Sequence, residues 1–239
     1  MNYLVVGYFT ASTFYELEAK RLIASLMRFQ IPYYIAPIEN QGDWYKNTQY
    51  KPTFLKAMLE KFKPASLVYV DVDAEFCRPP DLFDELVARS DVNVAVHLLD
   101  HKKRGRSAGF EMLSGTIFLK NNSIVEGILD KWIEICREGG NLWDQVALSR
   151  VLREIPYHVL PEEYCTIFDY MQDVKEPVIK HYQASRRVPD KGNNNPLPKY
   201  DAEPVKKEEK QELLSKAKRV PKGSLTRYHI QRRWRNLLN

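Results

Sequence analysis

Asp71 and Asp73 stand one residue apart at the end of the apolar run Leu67-Val68-Tyr69-Val70. After the breaker Pro64 such a run reads as a short buried strand, so both acids are delivered to its carboxyl end. Ligands of open α/β sheets bind at that edge. Paired carboxylates there suit a hard divalent cation already attached to a substrate phosphate. The plainer alternative is that the two acids only end the strand or cap the next element. Lys51 precedes a predicted helix over 52–62, where a cation and free backbone N–H groups attract phosphate; a solvated lysine is the alternative. Ser114 and Gly115 enter a predicted strand over 113–119. There a glycine permits close backbone approach and a hydroxyl can bond a sugar, although a simple bulge explains the same glycine.

The elements that must position these groups can be read from periodicity. Strands are expected over 3–7 and 33–36 around a helix whose apolar positions run from Phe14 to Met27, a βαβ opening. A polar, aromatic loop fills 42–50. Asp81 caps a helix ending at Ala88, and 92–98 is a strand closed by His97, read as structural. A basic loop, 101–106, fits the border of an acceptor site. A helix over 124–136 and a second one up to Arg153 flank Gly139-Gly140-Asn141, and short strands are expected over 157–160 and 178–182.

The chain has 239 residues, 44% of them hydrophobic, which suits one large α/β domain with an appendage. Residues 1–7 lack the basic start and apolar stretch of a signal peptide, and no run approaches the ~20 apolar residues of a membrane span. The three cysteines, Cys77, Cys136 and Cys165, suggest neither a disulfide framework nor a zinc site. A cytoplasmic setting is the resulting expectation. The net charge of +5 is unevenly placed: 206–239 holds eleven Lys and Arg against three Glu, so the remainder is net acidic. A one-sided basic block suits a polyanionic partner.

Taken together, residues 1–187 resemble the GT-A glycosyltransferases, nearest to the retaining galactosyltransferase- and glycogenin-like members. The resemblance implies a Rossmann-like α/β fold, a mixed, mostly parallel sheet flanked by helices, and an Asp-x-Asp that holds a metal on the diphosphate of a nucleotide-sugar donor, expected to be UDP-linked. His181, in the His-Tyr pair that ends the last strand, matches the family's third metal ligand. Two carboxylates and a neutral imidazole suit Mn²⁺ or Mg²⁺. The first loop would contact base and ribose through Tyr8, Thr10 and Tyr15, although this loop lacks the Asp common there. Ser114 and Gly115 would lie beside the donor sugar. Asp144 would hydrogen-bond that sugar, with Gln145 at its reactive face. An Asp in a helix's first turn is also explained by the dipole alone. Where the family has Gly and Lys-Pro-Trp after its His-Tyr, this chain has Gln183-Ala184-Ser185-Arg186-Arg187; Arg186 or Arg187 would replace the lysine.

These expectations define a domain over 1–187, a linker or wrapped surface segment over 188–205, and a basic extension over 206–239 with a helix at 206–218 and another at 224–238. The activity implied is sugar transfer to an acceptor hydroxyl, with retention because no carboxylate base stands out, although Asp144 or Asp100 could be recruited as one. The basic extension fits DNA carrying a hydroxymethylated pyrimidine, turned out of the helix to react. It fits equally an anionic membrane presenting a lipid-linked or cell-surface saccharide, and a clamp onto the domain itself is the third reading. A non-catalytic nucleotide-sugar-binding protein is the other functional class. A nucleotidyltransferase fits less well, because Gly7-Tyr8-Phe9-Thr10 is not a Gly-rich basic loop.

Overall fold

The computed structural model describes residues 3–105, 109–138 and 142–187, and the backbone of 217–219. In chain order these form β1 (Tyr3–Thr10), α1 (Tyr15–Arg28), β2 (Tyr33–Ile38), α2 (Trp44–Gln49), α3 (Lys51–Lys61), β3 (Ser66–Val70), β4 (Ala74–Phe76), α4 (Leu82–Ala88) and β5 (Val94–Asp100). Next come β6 (Phe110–Leu119), α5 (Ser123–Arg137), α6 (Asp144–Leu152), β7 (Tyr157–Val159), β8 (Thr166–Ile167), β9 (Ile179–His181), α7 (Ala184–Arg187) and β10 (Ala217–Arg219).

The central sheet has the order β10-β7-β5-β6-β3-β1-β2. It is mixed and mostly parallel, with β6 antiparallel to both neighbours. Its strands read as near-continuous apolar runs because helices cover both faces. Phe54, Leu55, Leu129, Trp132 and Leu148 from α3, α5 and α6 pack on one face. Leu22, Leu26, Phe83 and Leu86 from α1 and α4 pack on the other. No helix among the described residues is long and apolar enough to cross a membrane.

Two local features shape the carboxyl edge of the sheet. Gly7 lies inside β1, and a Cβ there would meet Val70 O at 2.7 Å, so glycine is what lets β1 lie against the end of β3. On β6, Leu113 pairs with His97 and Ile117 with Val96, which leaves Ser114, Gly115 and Thr116 bulged away from β5. Those residues stay with β3 instead, through the Val70 and Thr116 pair and the Asp71 N–H, which donates to Gly115 O at 2.9 Å. A smaller sheet, β4-β9-β8, stands beside this edge.

Several expectations change. The predicted loop over 42–50 contains α2, because Asp43 caps it by accepting the Lys46 N–H at 2.8 Å. Asp81 precedes α4 without a side-chain cap bond. The helix predicted over 206–218 lies largely outside the described residues, and its last two positions start β10, whose backbone pairs with β7. Neither the linker at 188–205 nor the helix at 224–238 falls within the described residues.

Candidate active site

The acidic pair sits where β3 ends, and a three-residue strand brings it a distant partner. β4 comes directly after Asp73 and pairs with β9 so that Ala74 lies opposite His181. The neighbouring loop closes on Asp73 as well: Tyr182 N–H donates to its carbonyl at 2.9 Å and Ala184 N–H to Oδ2 at 2.7 Å. As a result one ligand atom each from Asp71, Asp73 and His181 lies within 4.8 Å of the others.

The surroundings favour cation binding at this point. A methyl group on Gly115 would sit 3.1 Å from His181 Cε1, 3.2 Å from its Nδ1 and 3.3 Å from Asp71 Oδ2, so the bare glycine leaves the space between the ligand atoms open. Thr116 Oγ1 lies 2.8 Å from His181 Nε2. A proton on Nε2, donated to that hydroxyl, leaves the Nδ1 lone pair free as a ligand. Burial pushes the His181 imidazole down to about 4, which keeps it neutral near pH 7. The donor set of two carboxylates and one neutral imidazole therefore fits Mn²⁺ or Mg²⁺.

Lys51 is the hub of the second half of the site. It is buried, and its ammonium lies 2.7 Å from Asp144 Oδ2 and 3.2 Å from Asp71 Oδ1. It also donates to Ser114 O at 3.1 Å and Ser114 Oγ at 3.2 Å. Burial alone would lower its pKa; the Asp144 and Asp71 carboxylates more than offset that, and the ammonium form is favoured. The expected open helix start is absent here, because Tyr50 is itself helical, donating to Lys46 O, and α2 runs almost directly into α3. Lys51 thus faces carboxylates, not an exposed phosphate-binding helix end.

Asp144 is fixed from several sides. Its backbone carbonyl accepts the Trp132 indole N–H at 2.9 Å, and Oδ2 accepts the Ser114 hydroxyl at 2.8 Å. Gln145 beside it donates from Nε2 to Glu111 at 2.6 Å and accepts the Ser114 N–H at 3.3 Å. Glu111 in turn meets His101 Nε2 at 2.8 Å. Tyr69 donates its hydroxyl to Asp71 Oδ1 at 2.8 Å and remains a donor because burial and that carboxylate raise its pKa.

Lys51, Tyr69, Asp71, Asp73, Ser114, Gly115, Asp144, Gln145 and His181 line one cleft of about 250 Å³, together with Tyr8, Thr10, Tyr15, Trp44, Trp143, Gln183, Ser185 and Arg186. Tyr8 packs its ring against Tyr50, Phe54 and Tyr69 and donates to Asn47 O at 2.7 Å, so most of that residue belongs to the core. Arg186 reaches the cleft and lies 3.8 Å from Asp169. The side chain of Arg187 is outside the described residues. His97, bonded through Nδ1 to Leu160 O at 2.9 Å, is structural. Sequence reasoning missed Trp44 and Trp143 as cleft walls; two tryptophans next to polar loop residues were the signal available.

No family model matches the chain, and no curated protein matches it. Solved structures do. A glycosyltransferase involved in glycosylation of the major capsid of PBCV-1 is 15% identical, with a TM-score of 0.60 over 76% of this chain and 92% of its own. Mouse xyloside xylosyltransferase 1 is 12% identical, with a TM-score of 0.52 over 78% and 99%. The glycosyltransferase GlyE of Streptococcus pneumoniae is 18% identical, with a TM-score of 0.54 over 75% of this chain and 54% of its own. The shared architecture is the GT-A fold.

Proposed function

We propose that this chain is a metal-dependent glycosyltransferase that moves a sugar from a UDP-linked donor to an acceptor hydroxyl with retention of configuration. One observation carries the reading: Asp71, Asp73 and His181 converge at the floor of a cleft that also holds Asp144 and Gln145. Asp71, Asp73 and His181 would hold Mn²⁺ or Mg²⁺, whose contribution when bound is to neutralise charge growing on the leaving diphosphate.

The protein's own groups then divide the work. Arg186, at the cleft, adds a cationic contact for the diphosphate. Thr10 and Tyr15, at the end of β1 and the start of α1, face the nucleoside end, with Tyr8 supporting them from the core. Asp144 accepts hydrogen bonds from donor-sugar hydroxyls beside the Gly115 opening, while Lys51 and Ser114 hold its carboxylate in place. Gln145, its amide oriented by Glu111, presents its carbonyl dipole to positive charge developing at the sugar carbon. Retention is supported by the cleft's acids: of the described carboxylates lining it, two belong to the cation site and the third is bound to Lys51, so none is left as an acceptor base.

The readings of hydroxymethylated DNA or an anionic membrane as partner rest on the composition of 206–239, of which only 217–219 is described. The activity is tested by screening UDP-sugars for thermal stabilisation with and without Mn²⁺, then measuring UDP release. Asp73→Asn should abolish metal-dependent release; an Asp73→Asn enzyme with ordinary turnover would remove this site from consideration.

A further inference from the structure

Trp44 and Trp143 form a cleft wall that the roles above leave unused. Their rings meet edge to face, with centroids 5.4 Å apart and planes at 80°, and both residues are half-buried. Trp44 also meets Tyr45 edge to face, with centroids 5.3 Å apart. The wall is preorganised: Asp43 caps α2, and Gln49 Nε2 donates to Leu142 O at 2.7 Å, tying the helix that carries Trp44 to the segment that carries Trp143. Trp143 directly precedes Asp144, the residue assigned above to the donor sugar, and the helix that carries Trp44 accepts the Tyr8 hydroxyl at Asn47 O.

We propose that Trp44 and Trp143 are the stacking platform of the acceptor subsite and that the acceptor is an uncharged saccharide whose pyranose ring lies on the indole face. Pyranose rings present apolar C–H faces with hydroxyls at the rim. Aromatic planes among polar groups match that pattern, and Asn47, Thr48 and Gln145 line the same cleft. Charge complementarity separates this from a nucleic-acid acceptor. Lys46 lies 3.9 Å from Asp43, Lys51 is held by Asp71 and Asp144, and Arg186 faces Asp169. In the basic loop expected to border the acceptor, Lys103 and Arg104 are both bound to Glu162 and Asp173. Among the described residues Lys102 is exposed in that loop, while the other cations named here each lie beside a carboxylate, unlike the unneutralised track that a phosphate backbone needs.

The inference rests on the transferase reading, so its test keeps the two apart. UDP release from a donor turned over with Mn²⁺ is measured against methyl hexopyranosides and short oligosaccharides, and in parallel against a duplex containing hydroxymethylcytosine. Tryptophan fluorescence is titrated with the same saccharides without donor. The expected result is saccharide-stimulated UDP release and fluorescence quenching. In Trp44→Ala the half-saturating saccharide concentration should rise about tenfold, the scale of truncating a tryptophan anchor, and Trp44→Phe should recover part of it. Stimulation by the duplex alone, or a Trp44→Ala enzyme with unchanged half-saturation, would overturn the platform. Quenching by saccharides without UDP release from any donor would sink the transferase reading and leave the platform standing; neither signal would sink both.

Discussion

Lys51 Nζ stands 2.7 Å from Asp144 Oδ2 although both side chains are buried, and the same ammonium reaches Asp71. One internal cation therefore ties a candidate metal ligand to the candidate sugar-binding acid. Breaking a buried pair by removing one partner costs about 3–5 kcal/mol, because the remaining charge is left uncompensated. Lys51→Met should accordingly lower the urea midpoint sharply, and adding Asp144→Asn should recover a large part of the loss. A double-mutant cycle is the measurement, and additive single effects would show that the pair is not coupled.

Gly115 tests the space between the ligand atoms. In Gly115→Ala the new methyl lies 3.1 Å from His181 Cε1 and 3.3 Å from Asp71 Oδ2, so one ligand must shift. Mn²⁺ affinity measured calorimetrically should fall by about 10–100-fold, the range seen when the supports of metal ligands are lost. Unchanged affinity would place the cation elsewhere.

The acids of this site were legible in the sequence because a local pattern, an apolar run stopped by Asp71 and Asp73, specifies both the strand and its edge. The imidazole was legible only through resemblance. Its approach depends on β4 and β9, two three-residue strands whose pairing of Ala74 with His181 spans more than a hundred positions and leaves no periodic signal. Lys51 was misread for a related reason. Its partners lie at the end of β3 and on α6, so sequence showed a cation before a helix and not the carboxylates around it. The bulge at Ser114 to Thr116 had a cue in Gly115, but its consequence, an opening aimed at His181, arises from tertiary contact.

Two buried imidazoles set a pH dependence. Burial lowers the pKa of His97, and it pushes that of His181 down to about 4. Unfolded histidines titrate at about 6.5, so between the two values the unfolded chain binds more protons and stability rises with pH. This contribution is fully present above the unfolded value and is lost as pH falls through the folded one. Urea midpoints of the metal-free protein should decline from pH 7 towards pH ~4. His97→Asn, whose amide can still donate to Leu160 O, should show a shallower decline; a parallel curve would mean that His97 contributes nothing to it.

Thr116 offers a test of the ring orientation of His181. Its hydroxyl is 2.8 Å from Nε2, and in the tautomer where Nε2 donates to it Nδ1 is left for the cation. Thr116→Val keeps the shape of the side chain and removes the hydroxyl, so Nε2 loses its partner in a buried site. The loss should weaken Mn²⁺ binding by about 10–100-fold, and the Asp71 and Asp73 carboxylates would retain what remains. Thr116→Ser restores an oxygen at the same position and should recover most of the affinity. If Val and Ser variants bind Mn²⁺ alike, the imidazole is oriented by packing against β4 and not by this hydrogen bond.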